Sequence, residues 1–424
     1  VPRAWQSIAA QARGWPQTTT PITIGTPVTV RALPAARMRD AIGMNVDLWR
    51  THDGYADFRA VMRRIRQLHL RHARVGMQSG PEYGLARMQQ LGRAGVRLDV
   101  VMGDAYGRFG TTPFAALARR LQQTVLPYVD AVEGTNEPDL TRRSNWVSVA
   151  RTHQRRVVDT VRRVRGWPVG VLAPSVGRLA SLPAVGDMRD LADAANAHVY
   201  ASGGEPSQAL DRWLAATQMQ RPGGPIVITE TGFQTDLRQR KYHTPTSERA
   251  AAAYLPRTIL EAIGRGIPQV YVYELVDRWS DPFGIDTAAH FGVLNHDLSP
   301  KPAWLALVRL QRALLDGGRP DRSVQDVRAT VVRAPPDLRV LAFRRVDGTL
   351  TLALWRTVSV WDAQLGSDIA VDGAPVQLAV AASTGGALMT DVVTGRRRRL
   401  PPGGLINASL TGAPVVITGL QPVR

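Results

Sequence analysis

The chain has 424 residues, 44% hydrophobic and 21% charged, the balance of a globular protein too long for one ordinary core. It has no cysteine, which excludes a disulfide framework and a thiolate metal site, and no run of eighteen apolar residues, which excludes a membrane-spanning helix. The formal charge of +18 rests on arginine, with Lys241 and Lys301 the only lysines among 53 basic residues.

Residues 1–38 are rich in Pro and Thr and hold one strand-like run, Pro27–Arg31, expected to act as a cap or an extra strand of a β-domain. Val1 to Trp15 lack an apolar signal core, so a targeting segment is expected either to have been removed or never to have existed. From Ala41, short apolar runs alternate with amphipathic stretches, the texture of βα repeats on a parallel sheet. The strands fall at Ala41–Val46, His72–Gly76, Arg97–Met102, Ala131–Gly134, Val169–Ala173, Ala195–Tyr200, Pro225–Thr229 and Gln269–Glu274. Helical stretches lie between them, among them Tyr55–Leu68, Pro113–Thr124, Asn145–Arg165, Pro206–Met219 and Ser247–Gly264. Eight such units over residues 39–316 predict a closed (β/α)8 TIM barrel, a fold of about 250 residues that places chemistry at the C-terminal strand ends. Gly317-Gly318 stops the last helix, Pro302–Leu315. Residues 317–424 then read as an all-β sandwich, with strands at Arg339–Arg344, Thr349–Trp355, Val376–Val380, Asp391–Thr394 and Pro414–Thr418.

The chain has only eight glutamates, and four of them, Glu133, Glu137, Glu230 and Glu274, lie in or at the ends of these strands. A carboxylate there is costly unless it has partners or a task. Glu137 ends the apolar run before Asn136-Glu137-Pro138, and Glu230 ends Ile226-Val227-Ile228-Thr229. A carboxyl presented at a strand end is a common way to hold an acid over a substrate; the alternative is that both cap turns or pair with arginine. His198 and Tyr200, two apart on one strand, share a face, either as a site pair or as plain core. No His-Glu-x-x-His or other tight ligand spacing is present, so no metal site is expected.

Glu133-x-x-Asn136-Glu137-Pro138, followed by Thr229-Glu230-Thr231-Gly232-Phe233, resembles the retaining glycoside hydrolases of clan A, and the β-rich tail resembles that of families such as 39, 51 and 79. The resemblance implies Glu137 as acid/base and Glu230 as nucleophile, with Asn136 on the sugar 2-hydroxyl and Arg74 holding the nucleophile. It also implies Tyr200, ahead of His198, as a hydrogen-bond donor to that carboxylate. Two departures stand out. Glu274 occupies the end of strand eight, where many clan members place a Trp platform, so Trp279 would supply stacking from the following loop. Thr135 stands where an aromatic residue is common. Trp49, Tyr106 and Phe233 are further stacking candidates or plain packing, and Asp47 and Asp104 bind sugar hydroxyls or cap turns.

The function expected is retaining hydrolysis of glycosidic bonds in an oligo- or polysaccharide, with no cofactor. The alternatives are a transglycosylase using the same site, or a non-catalytic carbohydrate-binding protein on the same fold. The arginine excess fits either a GC-rich genome or an acidic glycan as partner. Nucleic acid is not expected, because no aromatic-rich basic module is visible. A secreted or cell-envelope bacterial protein suits the absence of cysteine. Nothing in the sequence sets the oligomeric state.

Overall fold

The computed structural model describes residues 27–77, 82–103, 113–163, 167, 169–240, 243–315 and 325–422. Its centre is an eight-stranded parallel sheet: β2 (Ile42–Asn45), β3 (His72–Met77), β4 (Arg97–Met102), β5 (Val129–Glu133), β6 (Gly170–Leu172), β7 (Ala195–Val199), β8 (Ile226–Thr231) and β9 (Val270–Val272), preceded in the chain by β1 (Pro27–Pro34). The order β6-β5-β4-β3-β2-β9-β8-β7 joins first to last strand through β2 and β9. A single parallel bridge, Leu172 to Ala194, brings β6 and β7 together and completes the barrel. Strands such as β8 are buried along their whole length, which is why they read as β-branched runs rather than as alternating ones. The surrounding helices follow local rules. In Phe58–Gln67, Asp57 caps the first turn by accepting from the Ala60 N–H at 3.0 Å. Phe58, Val61, Met62 and Ile65 form its buried stripe.

The rest is one ten-stranded sheet built from β1, β10 (Gln325–Arg333), β11 (Leu338–Arg344), β12 (Leu350–Arg356), β15 (Ala374–Val380), β16 (Ala382–Ser383), β17 (Leu388–Asp391), β18 (Arg397–Arg399), β19 (Leu405–Leu410) and β20 (Val415–Pro422). A two-stranded hairpin, β13 (Trp361–Asp362) with β14 (Ser367–Asp368), stands apart from it. Strands from both ends of the sheet share one apolar cluster that includes Leu352, Leu378, Ile406 and Ile417, so the sheet folds over its own core. The fold is a TIM barrel with a β-domain, as the sequence pattern predicts. β1 pairs with β10 and, parallel, with β11. The strand expected at Asp391–Thr394 ends instead at Asp391, whose carboxylate accepts from the Val393 and Thr394 N–H groups and turns the chain.

Two helices tie the β-domain to the barrel. Glu248–Gly264 is buried from Ala250 to Gly264, with no face left to water. On its β-domain side, Trp355 Nε1 donates to Glu261 at 2.6 Å, Arg257 donates to the Val358 carbonyl at 2.7 Å, and the Tyr254 hydroxyl accepts from the Val360 N–H at 2.9 Å. Helix Pro302–Leu314 adds Arg309, which donates to the Val392 carbonyl at 3.1 Å.

Candidate active site

Side chains from β2, β5, β8 and the turn after β5 converge on one guanidinium, that of Arg74 in β3. Arg74, 5% exposed, donates from Nε to Glu133 at 2.5 Å and from Nη1 to Glu230 at 2.6 Å. Its remaining donors reach Asn45 at 3.0 Å, Asn136 at 2.7 Å and the second Glu133 oxygen at 3.1 Å. A planar fork with five N–H groups meets such a set; a lysine ammonium could not. The other Glu230 oxygen accepts from the Tyr200 hydroxyl at 2.8 Å. Burial pushes the Glu230 carboxyl up, but His198, Arg74 and the Tyr200 hydrogen bond together outweigh it and hold Glu230 below the usual carboxylate range. A glycine follows for a steric reason. A Cβ on Gly232 would lie 2.2 Å from the Tyr273 carbonyl oxygen, so only glycine lets the ends of β8 and β9 come this close.

Glu137 sits just past β5 in a left-handed conformation, φ 43° and ψ 55°, uncommon for a residue with a side chain and found where surrounding structure enforces it. The enforcement is visible. Asp139 accepts from the Gly177 and Arg178 N–H groups at 2.9 and 3.0 Å, and Ser175 Oγ accepts from the Glu137 N–H at 3.3 Å. The Glu137 carboxyl meets His198 Nδ1 at 2.8 Å, and the same nitrogen lies 3.5 Å from Glu230. One oxygen of Glu137, one of Glu230 and a ring nitrogen of His198 all fall within 4.8 Å of one another. Burial lowers the His198 pKa, yet the two carboxylates outweigh burial and raise it above the ordinary histidine value.

The other candidates divide by what their polar atoms already do. Asn136 lies beside Glu137, bonded to Arg74. Glu274 lies just past β9 and is 3% exposed. Arg278 donates to it at 3.2 Å, but burial dominates and pushes its carboxyl up to about 7. Asp47 accepts from the Trp49 N–H at 3.2 Å and from Arg50 Nε at 2.6 Å, so it holds its own loop. Trp49 donates to the Gly76 carbonyl at 2.6 Å, and its ring lies so close over Gly84 that a Cβ there would clash, which makes it wall packing. Trp279 is half-buried with the Arg50 guanidinium over its ring at 5.0 Å. Phe233 packs on Tyr254 at 5.5 Å. Asp104 and Tyr106 lie outside the described residues.

Four participants escaped sequence reasoning: Asn45, Glu133 as a partner of Arg74, His243 and Tyr273. His243 stacks against Tyr200 at 4.8 Å, and both contact Phe291, which also packs on Tyr273. Only Glu133 had a signal, its place at a strand end within the Asn-Glu motif. A second acidic grouping, Asp236, Asp281 and His290, is occupied internally. Asp236 accepts from Arg238, and Asp281 accepts from the Ile285 and Asp286 N–H groups, so it reads as a loop clamp.

No protein-family model matches the chain, and no curated protein matches it by sequence. Solved structures do. A family 39 glycoside hydrolase from Bacteroides cellulosilyticus WH2 superposes with a TM-score of 0.62 at 17% identity, covering 91% of this chain and 82% of that one. The fold is that of the clan A glycoside hydrolases. A monomeric beta-xylosidase from Caulobacter crescentus CB15 superposes with a TM-score of 0.58 at 14% identity, over 93% of this chain and 98% of that one. A family 51 arabinofuranosidase from Xanthomonas axonopodis pv. citri matches with a TM-score of 0.56 at 13% identity, over 93% and 100%.

Proposed function

We propose that the protein is a retaining glycoside hydrolase that cleaves an oligo- or polysaccharide, with Glu230 as nucleophile and Glu137 as acid/base. The observation that carries this reading is the approach of the two carboxyls to within 4.8 Å, oxygen to oxygen. Retaining enzymes hold theirs about 5–5.5 Å apart, whereas inverting enzymes leave about 6.5–9.5 Å for a water. The division of labour follows from the donors. Arg74 and Tyr200 both serve Glu230 and keep it ionised for attack at the anomeric carbon. Glu137, to which neither of them donates among the described residues, is left as the acid that gives a proton to the leaving oxygen and later takes one from water. Asn136, held by Arg74, faces the position of the sugar 2-hydroxyl in this reading. The chemistry needs no cofactor. The arginine-rich surface supports an acidic glycan as partner, and the cysteine-free composition supports export to the envelope or medium.

The experiment treats the two carboxyls separately. Glu230→Gln should lose nearly all turnover on every glycoside. Glu137→Ala should still form the glycosyl-enzyme from an aryl glycoside with a good leaving group, and azide should then speed release as a glycosyl azide of retained configuration. A mechanism-based fluorosugar should label Glu230. Labelling of another residue, or an inverted product anomer, would overturn the assignment.

A further inference from the structure

Beneath the catalytic floor, Arg74 is shared. Its Nε and Nη2 donate to Glu133, a carboxylate 1% exposed with no part in the chemistry above. Asn196 on β7 donates at 2.9 Å to the Glu133 oxygen that also accepts from Arg74 Nη2. Next to Glu133, on β4, lies Asp99, also 1% exposed, and no donor among the described residues reaches either of its oxygens. Asp99 is paired across to Ala131 of β5, so Glu133, two residues further along that strand, shares its face, and the Glu133 carboxyl is the acidic neighbour that bears most on Asp99. Two carboxylates are both acceptors and can bond only through a proton. An ionised Asp99 with no donor, beside a second anion in the core, would cost several kcal/mol.

We propose that Asp99 and Glu133 share one buried proton and act as a positioning pair, which sets how much of the Arg74 charge is left for Glu230. Resting on the reading of Glu230 as nucleophile, the pair acts on it only through Arg74. The charged and titratable groups that bear on it are Arg74 on β3, Asp130 on β5, His198 on β7 and Tyr271 on β9, with Glu230 on β8 reached through Arg74. Glu230 itself is faced by Arg74, His198, Tyr200, Glu137, His243 and Tyr273. Burial and the Glu133 charge push Asp99 far up, towards its neutral form, while Arg74 and the Asp99 hydrogen bond outweigh burial and keep Glu133 low. The pair therefore carries one negative charge, neutralises part of Arg74, and prevents that guanidinium from over-stabilising the nucleophile as an anion.

The test uses the full chain and two near-isosteric variants. Asp99→Asn presents an amide N–H where the acid proton was, so the acid limb of the kcat/KM profile on an activated aryl glycoside should stay in place. Glu133→Gln removes the competing anion, and the limb should move to lower pH by about one unit, with a fall in kcat rather than a rise in KM. Infrared difference spectra between the unaltered protein and Asp99→Asn at neutral pH should contain one carboxylic-acid band from Asp99. The proposal is overturned if that band is missing, if Asp99→Asn moves the limb as far as Glu133→Gln does, or if neither variant moves it while both lose stability. If no glycoside in a broad panel is turned over by the unaltered protein, the reading of Glu230 as nucleophile fails, and the infrared band alone then decides the shared proton.

Discussion

Replacing Arg74 by methionine removes the one cation among the described residues that pairs with both Glu133 and Glu230. Taking one partner from a buried ion pair costs about 3–5 kcal/mol, and two carboxylates are stranded here, so the upper part of that range is expected at about pH 7.5. Against a typical stability of about 5–15 kcal/mol, the variant should fold but unfold at distinctly lower urea concentration. The sign of the pH dependence is fixed. In the intact protein Arg74 helps hold both carboxyls below their ordinary range, a contribution complete above the unfolded carboxylate pKa and lost as pH falls through the lowered folded values. Without Arg74 the two groups protonate more readily, so the deficit against the intact protein should shrink towards about pH 5. The acid limb of kcat/KM should rise at the same time. A deficit below about 1 kcal/mol at neutral pH, or one that does not change with pH, would refute the picture of Arg74 as the charge that holds this site together.

Tyr200→Phe removes one donor to the Glu230 carboxylate, a bond worth about 1.5–3 kcal/mol, so kcat/KM should fall about 10- to 150-fold with the acid limb raised; an unchanged limb would take Tyr200 out of the role. Glu274 is pushed from 4.5 to about 7 by burial, so the stability tied to its neutral form is lost as pH rises through that interval. Glu274→Gln should match the intact protein near about pH 5 and exceed it by up to about 3 kcal/mol near about pH 8 in urea titrations, and a fixed difference would reject the shift. If an acidic glycan is guided by the arginine surface, turnover should drop as salt passes about 0.15 M, where the Debye length is about 8 Å; a flat response would leave genome bias as the source of the charge. Trp355→Phe deletes the hydrogen bond to Glu261 and should cost about 1–3 kcal/mol in stability with kcat/KM unchanged.

How far the sequence is legible depends on the range over which each residue acts. Glu137 and Glu230 stand out because a carboxylate at the end of an apolar strand is conspicuous by itself, whatever it meets. The turn at Asp47 is equally local, since its partners are Trp49 and Arg50, but the sequence leaves it open between turn and sugar because either use needs only an exposed oxygen. Glu133 is visible as a residue and invisible as a partner. Its bond to Arg74 joins β5 to β3 across the intervening strand and follows from the curl of the sheet, while its bond to Asn196 reaches β7 across β6 and follows from closure of the barrel. His243 enters from a loop by stacking on Tyr200, and no periodicity marks such a residue. In the β-domain, β19 alternates buried and exposed residues cleanly, yet Pro401-Pro402-Gly403-Gly404 before it reads as an extended turn and masks where it begins.

The same geometry explains where the stability has to come from. A TIM barrel interior is usually a packed apolar core, but here the layer under the cleft is Asn45, Arg74, Asp99, Glu133, Asn196, Thr229 and Glu230, all buried. Such a network, even fully satisfied, contributes little net stability and is costly when any member is lost. The apolar burial that offsets it must lie in the shells outside: strands against helices, and helices against the β-domain. The main cluster is built that way, running from Val100 and Ile228 on the strands through Ile259 and Leu307 on the helices to Phe343 and Val416 of the β-domain. Helix Glu248–Gly264 is enclosed on all sides because it carries both contacts at once. The β-domain is thus part of what allows the barrel to keep a charged centre, and the Arg74 network can be as polar as its chemistry requires.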